Sequence, residues 1–113
     1  MPIKEKKTSK YNFSIVQRMK SFGYAFNGLK HAVVTQHNMW IHLIAAALVV
    51  LFGSLLKVSL TEWLLLVFAI GLVISTEIFN SAIELLTDLV SPDEHPKAGL
   101  VKDVAAGAVL VAA

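Results

Sequence analysis

The chain has 113 residues, enough for one domain only. Hydrophobic residues make up 56% of it, the mean hydropathy is +0.66, and the apolar side chains are gathered into long blocks, which excludes an ordinary soluble core and indicates a membrane protein. The absence of cysteine excludes a disulfide framework and a thiolate metal site, and the net charge of +2 says less than its placement, with seven Lys/Arg in residues 1–30 against the single acid Glu5.

Residues 1–11 are polar and lysine-rich and are expected to form a disordered tail. Residues 12–37 have a helical pattern. Met19, Phe22, Phe26, Leu29 and Val33 fall on a stripe roughly 80° wide, while Lys20, Tyr24, Asn27 and His31 lie on a different one. This predicts an amphipathic helix lying in the membrane surface. A polar stretch of roughly forty residues precedes the first apolar run and lacks a cleavage pattern, so it does not read as a secretory signal.

A first span is predicted over 39–56, with Trp40 and His42 at the headgroup level. The short 57–62 turn forces the next helix, 63–90, to return antiparallel from its anchor Trp63. Ser91-Pro92-Asp93-Glu94-His95-Pro96 breaks that helix. A third helix is predicted over 99–113; at 1.5 Å per residue it covers about 22 Å, short of a core about 30 Å thick, so the third span is expected to be truncated. Lysine and arginine are concentrated in 1–38 and 91–102, which predicts that both are cytoplasmic and that Lys57 faces outward.

The most telling feature is Glu77, Asn80, Glu84 and Asp88, which share one helical face directly after the apolar run 63–76. An acid at the centre of a membrane helix costs about 2.5–3.5 kcal/mol on insertion scales, so a stack of them calls for a cation, a proton or a polar partner. Glu77 lies about 21 Å along the helix from Trp63, and Glu84 reaches the cytoplasmic boundary at about 31 Å. The face therefore climbs from the lipid to the cytosol. Its ligands are all oxygens, which suit Mg²⁺ better than Zn²⁺. Lys102-Asp103 opens the third helix and could neutralise and orient a phosphate, beside small residues at 105–108 that allow close helix packing. No Walker A motif or glycine-rich kinase loop is present. A carboxylate paired for structural reasons would explain Glu77 alone, but not the whole face together with Lys102-Asp103. His31, His37, His42 and His95 lack a compact ligand spacing and read as interfacial polar residues rather than metal ligands.

Glu77-x-x-Asn80-Ser81-Ala82-x-Glu84-x-x-x-Asp88 followed by Lys102-Asp103 resembles the signature of the small prokaryotic integral membrane lipid kinases, the diacylglycerol kinases and their undecaprenol kinase relatives. The resemblance covers about residues 17–113. The Lys102-Asp103-Val104-Ala105-Ala106-Gly107-Ala108-Val109 run and the Ser91-Pro92 loop look closer to the undecaprenol kinase branch. The resemblance implies an all-α homotrimeric bundle, each subunit having a surface helix and three spans, with active sites between subunits. It implies transfer of the γ-phosphate of Mg-ATP to a lipid alcohol at the cytoplasmic interface of a bacterial inner or plasma membrane. The implied partners are ATP, the lipid alcohol and membrane lipids, with no nucleic acid. By motif, Glu77 matches the catalytic base and Asn80 an active-site polar residue. Glu84 matches a magnesium ligand at the nucleotide, and Tyr24, Lys102 and Asp103 match nucleotide-site residues. Asp93, Glu94 and His95 align with a loop near the nucleotide, Glu94 being assigned to that site. The family's N-terminal arginine is one position from Arg18 in the simplest alignment. The family usually has a second magnesium-binding glutamate before the first span, where this chain has Gln36. An amide offers one carbonyl oxygen but no negative charge, so weaker Mg²⁺ binding is expected.

The resulting expectation is an ATP- and Mg²⁺-dependent lipid kinase acting on undecaprenol or diacylglycerol. A small cation- or proton-coupled transporter would explain Glu77, but not acids that continue to Lys102-Asp103. A catalytically weakened membrane-assembly subunit is kept open by Gln36.

Overall fold

The structure, a computed structural model, describes residues 14–113. Over these residues it contains four helices and no strand: α1 (Ile15–Thr35), α2 (His37–Leu55), α3 (Leu60–Val90) and α4 (Pro96–Ala112). The expected tail at 1–11 and the first two positions of the expected surface helix lie outside the described residues. The chain divides after His31 into two compact units.

In the first unit, the Ser14 hydroxyl accepts from the Gln17 backbone N–H (3.3 Å), satisfying an N–H left without an intrahelical partner at the start of α1. The predicted apolar stripe of this helix is solvent-facing at Met19, Phe22, Phe26 and Leu29.

The second unit begins in the last turn of α1, where Ala32 is buried. The surface helix expected over 12–37 ends at Thr35, because Gln36 is extended at φ −108°, ψ 115° and provides no side-chain cap, and α2 starts at His37, two residues before the expected 39. α2 ends in a Schellman arrangement. Val58 N–H donates to Gly53 O (3.2 Å) and Lys57 N–H to Ser54 O (3.3 Å), with Lys57 left-handed at φ 54°. The predicted turn over 57–62 is shorter than expected, because Ser59 and Glu62 form a capping box. Glu62 N–H donates to Ser59 Oγ (3.2 Å), and Ser59 N–H donates to Glu62 Oε1 (3.0 Å). α3 therefore starts at Leu60 rather than Trp63. The break expected through Pro96 ends one residue sooner. Pro96 occupies the first position of α4, where its missing N–H costs nothing, and His95 Nδ1 accepts from Lys97 N–H (3.1 Å).

α3 packs against both α2 and α4. The α2 residues Met39, His42, Ala46, Val49 and Gly53 recur at alternating intervals of three and four, and all are buried or half-buried. Ala98, Lys102, Ala105, Val109 and Ala112 do the same on α4. Gly53 is required by the hairpin: a Cβ there would lie 2.8 Å from Cη2 of Trp63 and 3.2 Å from its Cζ3. Trp63, expected as an interfacial anchor, thus lays its ring over the backbone of α2. Gly53→Ala is expected to destabilise the hairpin by about 1–3 kcal/mol through overpacking, read as a lower thermal midpoint in detergent. An unchanged midpoint would mean that the ring swings aside freely.

α2 and α3 are both long and apolar enough to cross a membrane. At 1.5 Å per residue α3 is about 46 Å long, well beyond a core of about 30 Å, so one end must leave the hydrocarbon. α4 has 17 residues. Large side chains such as Leu64, Leu65, Val67 and Phe68 are exposed over the N-terminal half of α3, as lipid or a further subunit would require.

Candidate functional site

The α3 packing stripe runs Trp63, Leu66, Ile70, Val73, Glu77, Asn80, Glu84, again at alternating intervals of four and three. It changes from apolar to polar at Glu77 without leaving the packed face. Glu77 is consequently 0% exposed and Asn80 2% exposed, with Ser81 buried beside them. Glu84 is half-buried, and Asp88 is open to solvent. Burial falls along this face from Glu77 to Asp88.

The hydrogen bonding along the face is incomplete. Asn80 Nδ2 donates to Glu84 Oε1 (3.2 Å), and Ser81 Oγ donates to the Glu77 carbonyl (3.0 Å). Both carboxylate oxygens of Glu77 and Oδ1 of Asn80 are buried with no hydrogen-bond partner. A buried acceptor without a donor costs free energy, and an ionised carboxylate costs more, so three such oxygens together call for a proton, a hydroxyl or a cation. At the other end of the face Lys102 Nζ donates to Asp88 Oδ1 (2.6 Å), an ion pair joining α3 to α4.

The α3–α4 connection encloses an open cavity of about 550 Å³, lined by Asp88, the Ser91–Pro96 segment, Ala98, Gly99 and Lys102. Ser91 Oγ donates to the Asp93 carbonyl (3.1 Å), which shapes the start of this loop. Of the sequence-derived nucleotide residues, Glu94 and Lys102 are brought together here. Asp103 is exposed one position along α4 and does not line the cavity; neither do Gln36 and Glu84. Tyr24 lies on α1 in the first unit and is 73% exposed.

Among the described residues no three His, Asp or Glu side chains are close enough to hold a metal by themselves. The oxygens of Glu84 and Asn80, hydrogen-bonded neighbours on α3, are hard donors, and the unpartnered Asn80 Oδ1 could face a cation. A hard divalent ion that takes one or two protein oxygens and completes its shell with phosphate fits these two residues; Gln36 lies at the α1–α2 junction.

The sequence analysis assigned no catalytic or binding role to Ser81 or His42. His42, expected at the headgroup level, is half-buried on the face of α2 turned to α3. Its spacing from Met39 and Ala46 carried that signal.

Two helices fit to cross a membrane and a polar face running from a buried acid to a half-buried lysine beside an open cavity describe a helical membrane enzyme. The family of prokaryotic diacylglycerol kinases matches residues 23–113, and the chain belongs to that family of membrane lipid kinases. It is 40% identical over 92 residues to the undecaprenol kinase of Bacillus subtilis, covering 81% of this chain and 75% of that one. It is 39% identical over 94 residues to a diacylglycerol kinase of Synechocystis, covering 82% of this chain and 54% of that one. To the diacylglycerol kinase of Escherichia coli K12 the identity is 33% over 94 residues, covering 83% and 77%.

Proposed function

We propose that this chain is an ATP- and Mg²⁺-dependent kinase that phosphorylates a lipid alcohol at the cytoplasmic face of a bacterial membrane. The observation that carries the reading is the buried Glu77, with two unpartnered carboxylate oxygens, on a face that ends at the Asp88–Lys102 pair beside an open cavity. Undecaprenol is the favoured acceptor, given the Bacillus subtilis relative, with diacylglycerol the other candidate. A homotrimer of three-span subunits, with the N-terminus cytoplasmic, accords with the exposed apolar faces and the basic N-terminal segment.

Glu77 takes the proton as the lipid hydroxyl oxygen attacks the γ-phosphorus. The bond from that phosphorus to the β,γ-bridging oxygen breaks, leaving a phosphorylated lipid and ADP. Positioning and charge stabilisation supply most of the acceleration. Asn80 orients the face by holding Glu84 and presents Oδ1 toward the reacting groups. Lys102 neutralises phosphate charge, exchanging Asp88 for the nucleotide, with Asp103, Glu94 and Tyr24 as further nucleotide contacts. Glu84, with weaker help from Gln36, would hold Mg²⁺, which when bound offsets the charge on the phosphates.

Incorporation of label from γ-labelled ATP into undecaprenol or diacylglycerol in mixed micelles tests the reading. Label in neither lipid would overturn it and favour the transporter or assembly alternatives. Gln36→Glu restores a carboxylate to the ion and is expected to lower the Mg²⁺ concentration needed for half-maximal activity at saturating ATP. An unchanged or raised midpoint would show that Gln36 does not face the ion.

A further inference from the structure

We propose that a groove on the flank of the α3–α4 seam away from Lys102 binds an anionic phospholipid of the surrounding membrane, its phosphate on Lys97 and an acyl chain along Leu86, Val90 and Val101. The seam carries a cavity on each flank. The two share Ser91, His95 and Ala98 and otherwise have different walls. At about 100° per residue Lys97 and Lys102 lie roughly 140° apart around α4, so each lysine serves one cavity. The cavity at Lys102 also holds Asp88, Asp93 and Glu94, and Lys102 is tied to Asp88. The cavity at Lys97, about 400 Å³, has no acid on its wall. Lys97 Nζ has no hydrogen-bond or ion-pair partner among the described residues. One flank of the seam is thus rich in acids, while the other is an apolar groove with an uncompensated positive charge. An amphiphile with an anionic head complements that second flank.

Depth selects a phospholipid as the occupant. Leu86 follows Leu60, the start of α3, by about 39 Å at the helical rise. With the N-terminal half of α3 in lipid, the groove lies at or past the edge of a core about 30 Å thick, where a phospholipid carries its phosphate above the first carbons of its chains. Leu86, Val90 and Val101 are all exposed there, and an acyl chain covers them. The hydroxyls on the wall are already spent. Thr87 Oγ1 donates to the Ile83 carbonyl (2.7 Å), and Ser91 Oγ to the Asp93 carbonyl (3.1 Å). His95 Nδ1 accepts from Lys97 N–H, which leaves only Nε2 of that ring to donate. The Lys97 ammonium, with three free donors and a full charge, is therefore the group that holds the phosphate.

The test is lipid binding by the full chain in a neutral detergent. It is read as the rise in thermal midpoint on titration with phosphatidylglycerol, whose concentration dependence gives an apparent dissociation constant. Kinase activity is not the readout, so a failure here leaves the kinase reading standing. Phosphatidylglycerol is expected to raise the midpoint, and phosphatidylcholine to leave it unchanged. Lys97→Gln keeps the backbone N–H that His95 accepts and is expected to weaken phosphatidylglycerol binding about fivefold, the contribution of one basic residue at an anionic surface. Leu86→Gln keeps the charge but removes part of the apolar wall, and is also expected to weaken binding several-fold. Lys20→Gln removes the same charge from α1 and is expected to leave binding close to that of the parent chain. Equal weakening in Lys97→Gln and Lys20→Gln would mean diffuse attraction to a basic surface and would overturn the proposal. Unchanged binding in Lys97→Gln, or an equal response to phosphatidylcholine, would overturn it as well. An equal rise with inorganic phosphate would reduce the groove to a bare anion site, against the proposal. A rise with phosphatidate but none with phosphatidylglycerol would make it a seat for a phosphorylated lipid product, and a resident membrane phospholipid would be ruled out.

Discussion

Glu77→Gln is expected to lower the rate of phosphoryl transfer by about 10²–10⁴-fold, the usual contribution of a general base. The amide has nearly the same shape and retains one carbonyl oxygen, so the α3 stripe can stay packed. It has no capacity to accept the hydroxyl proton. Because both carboxylate oxygens are buried without donors, the substitution breaks no hydrogen bond within the protein. Stability and activity should therefore separate: the thermal midpoint in detergent stays close to that of the parent chain while labelled lipid disappears. Retention of more than about a tenth of the rate would contradict the assignment.

Lys102→Met is expected to reduce kcat by about 10²-fold, the cost of removing one charged donor from a developing anionic transition state. The same change should leave the thermal midpoint nearly unchanged, because an ion pair this open to solvent contributes little. The side chains of Lys102 and Asp88 are 39% and 63% exposed. Methionine preserves the length of the apolar stem, so the α4 stripe keeps its packing at that position. Asp88→Asn is the control. It breaks the same ion pair but leaves the cation, and should retain far more activity. Equal losses in the two variants would mean that the pair itself matters, not a lysine available to phosphate. Together the two substitutions probe opposite ends of the candidate site, the proposed proton acceptor at the buried end and the proposed phosphate partner at the open end.

The residues of the candidate site stand out in the linear order because acids are costly in an apolar run, whatever surrounds them. Glu77, Asn80, Glu84 and Asp88 keep helical spacing, and Lys102 follows after a loop marked by two prolines. The four helices were legible for the same reason: each is a block with one hydropathy pattern, bounded by polar residues. Their ends were read less well. The starts of α3 and α4 depend on reciprocal hydrogen bonds at Ser59–Glu62 and on His95 with Pro96, and both lie in stretches that look like loop by composition.

Periodicity alone could place Glu77 on a face, but not say whether that face was open or covered. That follows from α3 using one continuous stripe for packing from Trp63 to Glu84, so that the side chains with the greatest need of a polar partner fall where neighbouring helices exclude water. It took the packing of α2 against α3 to set His42 on one cavity wall with Val73 and Ile74. It took the α3–α4 hairpin to join Asp88 to Lys102 and to open a cavity beside them. Chemical identity and helical face are local properties carried by residue type and spacing. Burial, pairing and the shape of a cavity arise only when separate helices meet.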